Sequence, residues 1–233
     1  MMTKNRFQTN IPKFDTDTGD NILFPFSPPI YQSDLDQNFI KELINEGNKL
    51  TKKDDDFRHK LAGVMKSGGS YIYKDDFILK TEKYLLKYVE RFLNGITNIY
   101  GNRGIDKMMN VQLYRGHKKH GTVRLNTMWI NYQHKNDFNP PHIHDGALSF
   151  VIFCQVPKNI FTDLPVSATK NAGYICFTHG EDSHPFDSVS YEIKPYETLF
   201  LLFPANMTHF VSPFWTDNVR ISVSGNFVVT SNE

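Results

Sequence analysis

Asn139-Pro140-Pro141-His142-Ile143-His144-Asp145-Gly146 decides how the rest of this 233-residue chain is read, together with Phe203-Pro204-Ala205-Asn206-Met207-Thr208-His209 and the later Arg220-Ile221-Ser222. Side chains alternate faces along a strand, so His142 and His144, read as strand residues, send two imidazoles to one side at a spacing that suits a single metal ion. His209 sits behind a Phe-Pro entry in a second apolar segment, and strongly hydrophobic runs adjoin both segments and can wall a site. A lone histidine in such a strand is usually a satisfied core residue. The joint placement of His142, His144 and His209 favours a metal site over histidines that merely hydrogen-bond loops.

Working outward, the chain after Gly101 has β character, with candidate strands near 108–115, 122–133, 142–144 running on to 156 with a break at Asp145-Gly146, 172–178, 188–193, 196–203, 207–212 and 217–229. Short strands separated by turn residues point to a sandwich or barrel. Before them, Ser33 is the expected N-cap of a helix carrying Leu35, Phe39, Ile40, Leu43 and Ile44 and ending near Gly47. A second helix is expected over 75–94, with Leu85, Tyr88, Val89, Phe92 and Ile96 at helical spacing. Asn21 to Ile30, interrupted by Pro25, Pro28 and Pro29, reads as an extended edge segment, since proline cannot donate to a central ladder. Residues 51–70, with Asp54-Asp55-Asp56, read as a solvated connection. Helices that precede the strands give an α+β class: residues 1–105 as an N-terminal extended segment with supporting helices, and 106–233 as the β core, in one structural unit.

Twenty-six basic against 25 acidic residues leave no electrostatic footprint for nucleic acid. Cys154 and Cys176 lie in apolar runs and read as buried free thiols of a reducing compartment. The N-terminus has no apolar signal core and no uncharged apolar run approaches the length of a membrane span, so a soluble, cytoplasmic protein is expected. Oligomeric state is not legible.

Imidazole suits Zn, Cu, Fe and Ni, and an open face of two histidines and a carboxylate marks non-haem Fe(II) oxygenases. Too few cysteines are present for a zinc ribbon. Arg220 and Ser222, two apart in a strand, face one side and offer a carboxylate a planar two-pronged donor and a hydroxyl, although a surface arginine paired across strands gives the same pattern. Asn131 shares a face with Trp129 and can reach a ligand or a metal-bound water, while the tryptophan reads as core. The loop 178–187, with His179, Glu181, Asp182 and His184, and the loop 158–171 are candidate pocket rims.

In order and spacing, these residues resemble the Fe(II) and 2-oxoglutarate-dependent oxygenases. That superfamily carries an H-x-D/E pair on an early strand of a double-stranded β-helix, a distal histidine on a later one, and a basic residue about ten positions beyond. Here the matching residues are His142-Ile143-His144, then His209, then Arg220, which is 220 − 209 = 11 residues further. Trp129-Ile130-Asn131, Ser149 to Pro157, Phe203-Pro204 and Arg220-Ile221-Ser222 with Asn226 extend the likeness to a bacterial and phage group within the superfamily, over about 108–229.

The resemblance implies a jelly-roll, cupin-like core and an Fe(II) centre. It also implies 2-oxoglutarate bound by Arg220, Ser222 and Asn131, O2 as oxidant, and hydroxylase-type oxidation of a small-molecule or peptidyl substrate with decarboxylation of the oxo-acid to succinate. This chain departs from the wider pattern in having His144 where a carboxylate is expected. Three imidazoles, His142, His144 and His209, are therefore the favoured ligand set. A bulge that swings Asp145 inward gives His142, Asp145 and His209 as the second choice, and His144 with His209 and a vacancy at Gly146 as the third.

Two other functions remain open. His142-Ile143-His144 and Pro204 to His209 also resemble the two cupin motifs, which implies a metal-dependent dioxygenase or isomerase that needs no oxo-acid. Against it, residues 147–150 (Ala, Leu, Ser, Phe) lack the usual glutamate, and Arg220 has no task. The other is a non-enzymatic small-molecule-binding β-sandwich.

Overall fold

The structure is a computed structural model and describes residues 13–15, 19–23, 25, 28–50, 54–63, 65–100, 121–164, 171–180 and 189–231. In chain order the elements are β1 (Lys13–Asp15), β2 (Asn21–Leu23), β3 (Ile30–Asp34), α1 (Gln37–Gly47), β4 (Gly69–Ile72), α2 (Asp75–Tyr100), β5 (Gly121–Gln133), β6 (Asn139–His142), β7 (Leu148–Gln155), β8 (Ile175–Thr178), β9 (Ser190–Ile193), β10 (Leu199–Pro204), β11 (Thr208–Val211) and β12 (Arg220–Ser231). The strands form an eight-stranded sheet, β1-β2-β3-β10-β7-β12-β5-β4, and a four-stranded sheet, β6-β11-β8-β9. All the pairings are antiparallel. This is the α+β double-stranded β-helix, or jelly roll, with buttressing helices that the sequence implies.

Period-two alternation divides the large sheet between two cores. Met128 and Ile130 of β5, Phe150 and Ile152 of β7, Phe200 and Leu202 of β10, and Ile221 and Val223 of β12 face the helices with Phe39, Leu43, Leu85, Val89 and Phe92. The intervening residues Val151, Phe153, Leu199, Leu201 and Phe203 face the small sheet with Ile175, Phe177 and Ile193. A one-residue slip in register would exchange the two sets, so burial on both faces fixes the register strongly. On β5 and β12 the same alternation turns Trp129, Asn131, Gln133, Arg220, Ser222 and Ser224 away from the helices and into a cavity between the sheets.

Local structure departs from the sequence reading at several points. The α1 cap is Asp36, whose carboxylate Oδ1 accepts from Asn38 N at 2.8 Å and Phe39 N at 3.4 Å. Ser33 lies in β3 instead, and its hydroxyl donates to buried Asp20 at 2.6 Å. Asp36→Ala removes the cap and is expected to cost about 1 kcal/mol. For a chain of this size that lowers Tm by roughly 2–4 °C in a calorimetric scan.

Helix α2 continues six residues past Asn94 to Tyr100. Gly95 does not stop it, because a Cβ there would lie 2.2 Å from Ile22 Cδ1, and Ile96 prolongs the buried stripe. Buried Glu82 fastens this helix to β5, accepting from Leu125 N at 2.7 Å and Arg124 Nε at 3.1 Å.

The proline-rich segment is not an edge. Its prolines fall between β2 and β3, where no ladder donor is lost, and β3 is hydrogen-bonded on both sides, to β2 and β10. The 51–70 connection is not uniformly solvated either. Asp55 is buried and ion-paired with Lys74, Asp56 bridges to Tyr71, and β4 adds a strand to β5. The expected strand near 108–115 lies outside the described residues.

Candidate active site

The stretch from Asn139 to Gly146 does not run on as one strand into Leu148–Gln155. β6 ends at His142 and belongs to the small sheet, whereas β7 starts at Leu148 in the large one. His142 and His144 therefore do not share a strand face: His144 lies in the crossing between sheets, with its backbone N–H on Ala205 O at 2.9 Å. Gly146 turns that crossing with φ of 114°, in the left-handed region that favours glycine.

The crossing nonetheless brings the imidazoles together. His142 is in register with His209 across β6 and β11, and ring centroids are 4.5 Å apart for His142 and His209, 4.9 Å for His142 and His144, and 5.1 Å for His144 and His209. One ligand nitrogen from each lies within 4.8 Å of the others. Asp145 is exposed and is not part of this group.

Two of the three rings are oriented by carbonyls. His209 Nδ1 donates to Met207 O at 2.9 Å, and His142 Nδ1 donates to Pro140 O at 2.7 Å, since a carbonyl only accepts. The proton on Nδ1 leaves each Nε2 as an acceptor, as metal-binding histidines commonly have it; on His209 it is turned to the cluster, and on His142 it accepts from Asn139, a bond that a cation would replace. Asn139 Nδ2 lies 3.2 Å from His142 Nε2. Burial lowers all three pKa values. It is the larger cause, with repulsion from His142 second, in bringing His209 to about 3 and His144 to about 4; for His142 burial again leads. The rings are neutral at pH 7, the form that coordinates a cation. Three imidazoles of this kind fit Fe(II), and equally Zn, Ni or Cu.

The same cavity holds Arg220, Ser222 and Asn131. Arg220 is 2% exposed, donates from Nη1 to Gly173 O at 3.0 Å and from Nη2 to Gln133 Oε1, and stacks between Phe153 and Phe214 at 5.8 and 5.7 Å from their centroids. No carboxylate pairs with it among the described residues, and its Nε–H has no partner. Burial alone pushes its pKa down to about 9, so it remains cationic at neutral pH. A buried guanidinium without a counter-ion is costly unless an anion joins it. The surface cross-strand pair that the sequence left open is not what forms. Asn131 Oδ1 and Asn139 Oδ1 are likewise buried without partners. The orphaned guanidinium, with Ser222 beside Asn131 in register, fits the carboxylate of a small oxo-acid. The cavity volume is about 80 Å³, against about 10–15 Å³ on that measure for one water.

Gln133, Asp137 and Asn139 also line the cavity and were missed from the sequence. Gln133 continues the alternation of Trp129 and Asn131, a signal that was present. Asp137 sits in a turn and gave none. Of the candidate rim loops, residues 165–170 and 181–188, with Glu181, Asp182 and His184, lie outside the described residues. Cys154 and Cys176 are buried free thiols, and no described helix is long and apolar enough to cross a membrane.

Fold and site together define a double-stranded β-helix with a three-histidine cluster and a buried cation in one cavity. Residues 127–226 match the family model described as "Putative 2OG-Fe(II) oxygenase". No curated protein matches. Among solved structures, a prolyl-4-hydroxylase of Pseudomonas putida is 14% identical, with 87% of this chain and 93% of that one covered at a TM-score of 0.52. SnoN, a non-heme alpha ketoglutarate dependent epimerase from nogalamycin biosynthesis, is also 14% identical, with 85% and 78% covered at 0.50. At these identities the likeness is one of fold.

Proposed function

We propose that the protein is an Fe(II)- and 2-oxoglutarate-dependent oxygenase in which His142, His144 and His209 hold the iron and Arg220, Ser222 and Asn131 hold the oxo-acid. The observation that carries this reading is Arg220, a buried cation without a carboxylate among the described residues, opening on the cavity that contains the imidazole cluster. With the iron and oxo-acid bound, the site supplies oxidising power: O2, 2-oxoglutarate and a substrate C–H give succinate, CO2 and a C–OH, with one oxygen atom entering each organic product.

The chain's own part is positional. Arg220 and Ser222 receive the distal carboxylate, the carbonyls of Pro140 and Met207 keep the His142 and His209 rings in their ligating tautomers, and Phe153, Phe203 and Phe177 exclude water behind them. Three neutral ligands leave the iron's charge uncompensated, which favours a dianionic co-substrate. The three-histidine set also suits a cupin-type dioxygenase or isomerase, but that reading leaves the buried guanidinium without a function.

The test is anaerobic addition of Fe(II) and 2-oxoglutarate. A weak visible charge-transfer band that needs both additions is expected. Tight iron binding indifferent to the oxo-acid would favour the cupin-type enzyme, and no tight metal would leave a binding protein.

A further inference from the structure

Asp137 is 2% exposed, yet among the described residues no side-chain cation is its partner. Its Oδ1 accepts from Lys66 N at 2.9 Å and Ser67 N at 3.4 Å, and its Oδ2 accepts from His134 N at 3.0 Å. A carboxylate that gathers backbone N–H groups makes charge-assisted bonds, among the stronger kinds available to it. Here it joins two segments about seventy residues apart: the turn after β5 and the stretch before β4.

The stretch is also pressed against the β5–β6 connection at two glycines. A Cβ on Gly63 would lie 2.1 Å from Phe138 O and 2.6 Å from Asn139 Cα, and one on Gly68 would lie 2.1 Å from Tyr132 O and 2.5 Å from Asp137 Oδ2. Neither position has room for a side chain. Two half-exposed apolar residues of the same stretch, Leu61 and Met65, are thereby placed in the wall of the cavity that holds the histidines. A methionine there can adapt its shape to what it meets.

A second set of bonds runs inward. Gln133 Nε2 donates to the Asp137 carbonyl at 2.7 Å, and Gln133 Oε1 accepts from Arg220 Nη2. Hydrogen bonds therefore connect the guanidinium deep in the cavity, through Gln133 and Asp137, to the backbone of Lys66 and Ser67.

We infer that Asp137 and Gln133 are positioning residues that couple the Leu61 and Met65 wall of the cavity to occupancy of the Arg220 pocket. The inference rests on the oxo-acid reading of Arg220. A carboxylate bound by the guanidinium fixes Gln133, Gln133 fixes the Asp137 turn, and the turn holds the Lys66 and Ser67 N–H groups.

The experiment uses the full chain loaded with Zn(II), which is inert to O2, with and without 2-oxoglutarate. In wild type, the oxo-acid is expected to slow amide exchange at Lys66 and Ser67 and tryptic cleavage after exposed Lys66 by about tenfold, the equivalent of one charge-assisted hydrogen bond. Asp137→Asn and, independently, Gly63→Ala are expected to speed that cleavage by a similar factor, with zinc and oxo-acid still bound in Gly63→Ala. Exchange and cleavage at these residues unchanged by bound 2-oxoglutarate overturn the coupling, a result read on wild type and so independent of how either variant folds. Absence of any 2-oxoglutarate binding overturns the assignment of Arg220 first, and this inference with it.

Discussion

His209→Ala is expected to abolish tight iron binding. Its ring is the most buried of the three, it is held by Met207 O on one side, and it packs against Phe203 at 4.8 Å and Phe177 at 6.1 Å between centroids. Neither nearby carboxylate stands ready to replace it: Asp145 is exposed and outside the cluster, and Asp137 is engaged with the Lys66, Ser67 and His134 N–H groups. Losing an outer-shell partner of a metal ligand typically lowers affinity by roughly 10–100-fold, and losing one of three ligands should exceed that. Elemental analysis after gel filtration reads the result directly. Asp145→Ala is the matched control and should load normally. Lost iron in Asp145→Ala would return the ligand set to the aspartate-containing alternative, and unchanged iron in His209→Ala would overturn every ligand set that includes His209.

Arg220→Ala should separate the two halves of the site. Iron loading should survive, because the guanidinium bonds Gly173 and Gln133 and no histidine. Binding of 2-oxoglutarate should weaken by about 2–5 kcal/mol, the usual cost of truncating one partner of a buried, hydrogen-bonded charge pair, which corresponds to roughly 30-fold or more. In wild type, oxo-acid at about 100 times its Kd should add about 2.7 kcal/mol of stability, seen as a rise in Tm. At the same concentration the variant should gain at most about 0.9 kcal/mol, a third of the wild-type effect or less. A full rise in Arg220→Ala would mean that the oxo-acid binds elsewhere or that the buried cation serves another anion.

Legibility in the sequence tracked local physics. The helices over 75–94 and through Phe39, Leu43 and Gly47 were readable because apolar residues at spacings of three and four need a buried face. The strands at 122–133 and 217–229 were readable because alternation repeats over a dozen residues, and the same alternation placed Arg220 with Ser222 and Trp129 with Asn131. Short elements were less clear. β4 hid in a polar stretch, since Gly69 and Ser70 carry no apolar signal, and Ser33 matched a cap by type although Asp36 is the cap by position. Asp55 belonged to an acidic run and looked solvated, but Lys74, far from it until the chain folds, supplies its partner.

The histidines illustrate the division best. By itself the sequence determined which side chains could be ligands, because His142, His144 and His209, out of nine histidines, sit beside strongly apolar strands, and it determined the face on which the arginine lies, because strand period is local. It also suggested a single strand through His142 and His144, and that geometry does not form. Only the tertiary structure decided that the chain leaves one sheet at His142 and enters the other at Leu148, with His144 in the crossing. Only it set His209 opposite His142 and left Arg220 without a carboxylate among the described residues. Those outcomes depend on contacts between segments tens of residues apart, and local propensity carries no information about such contacts.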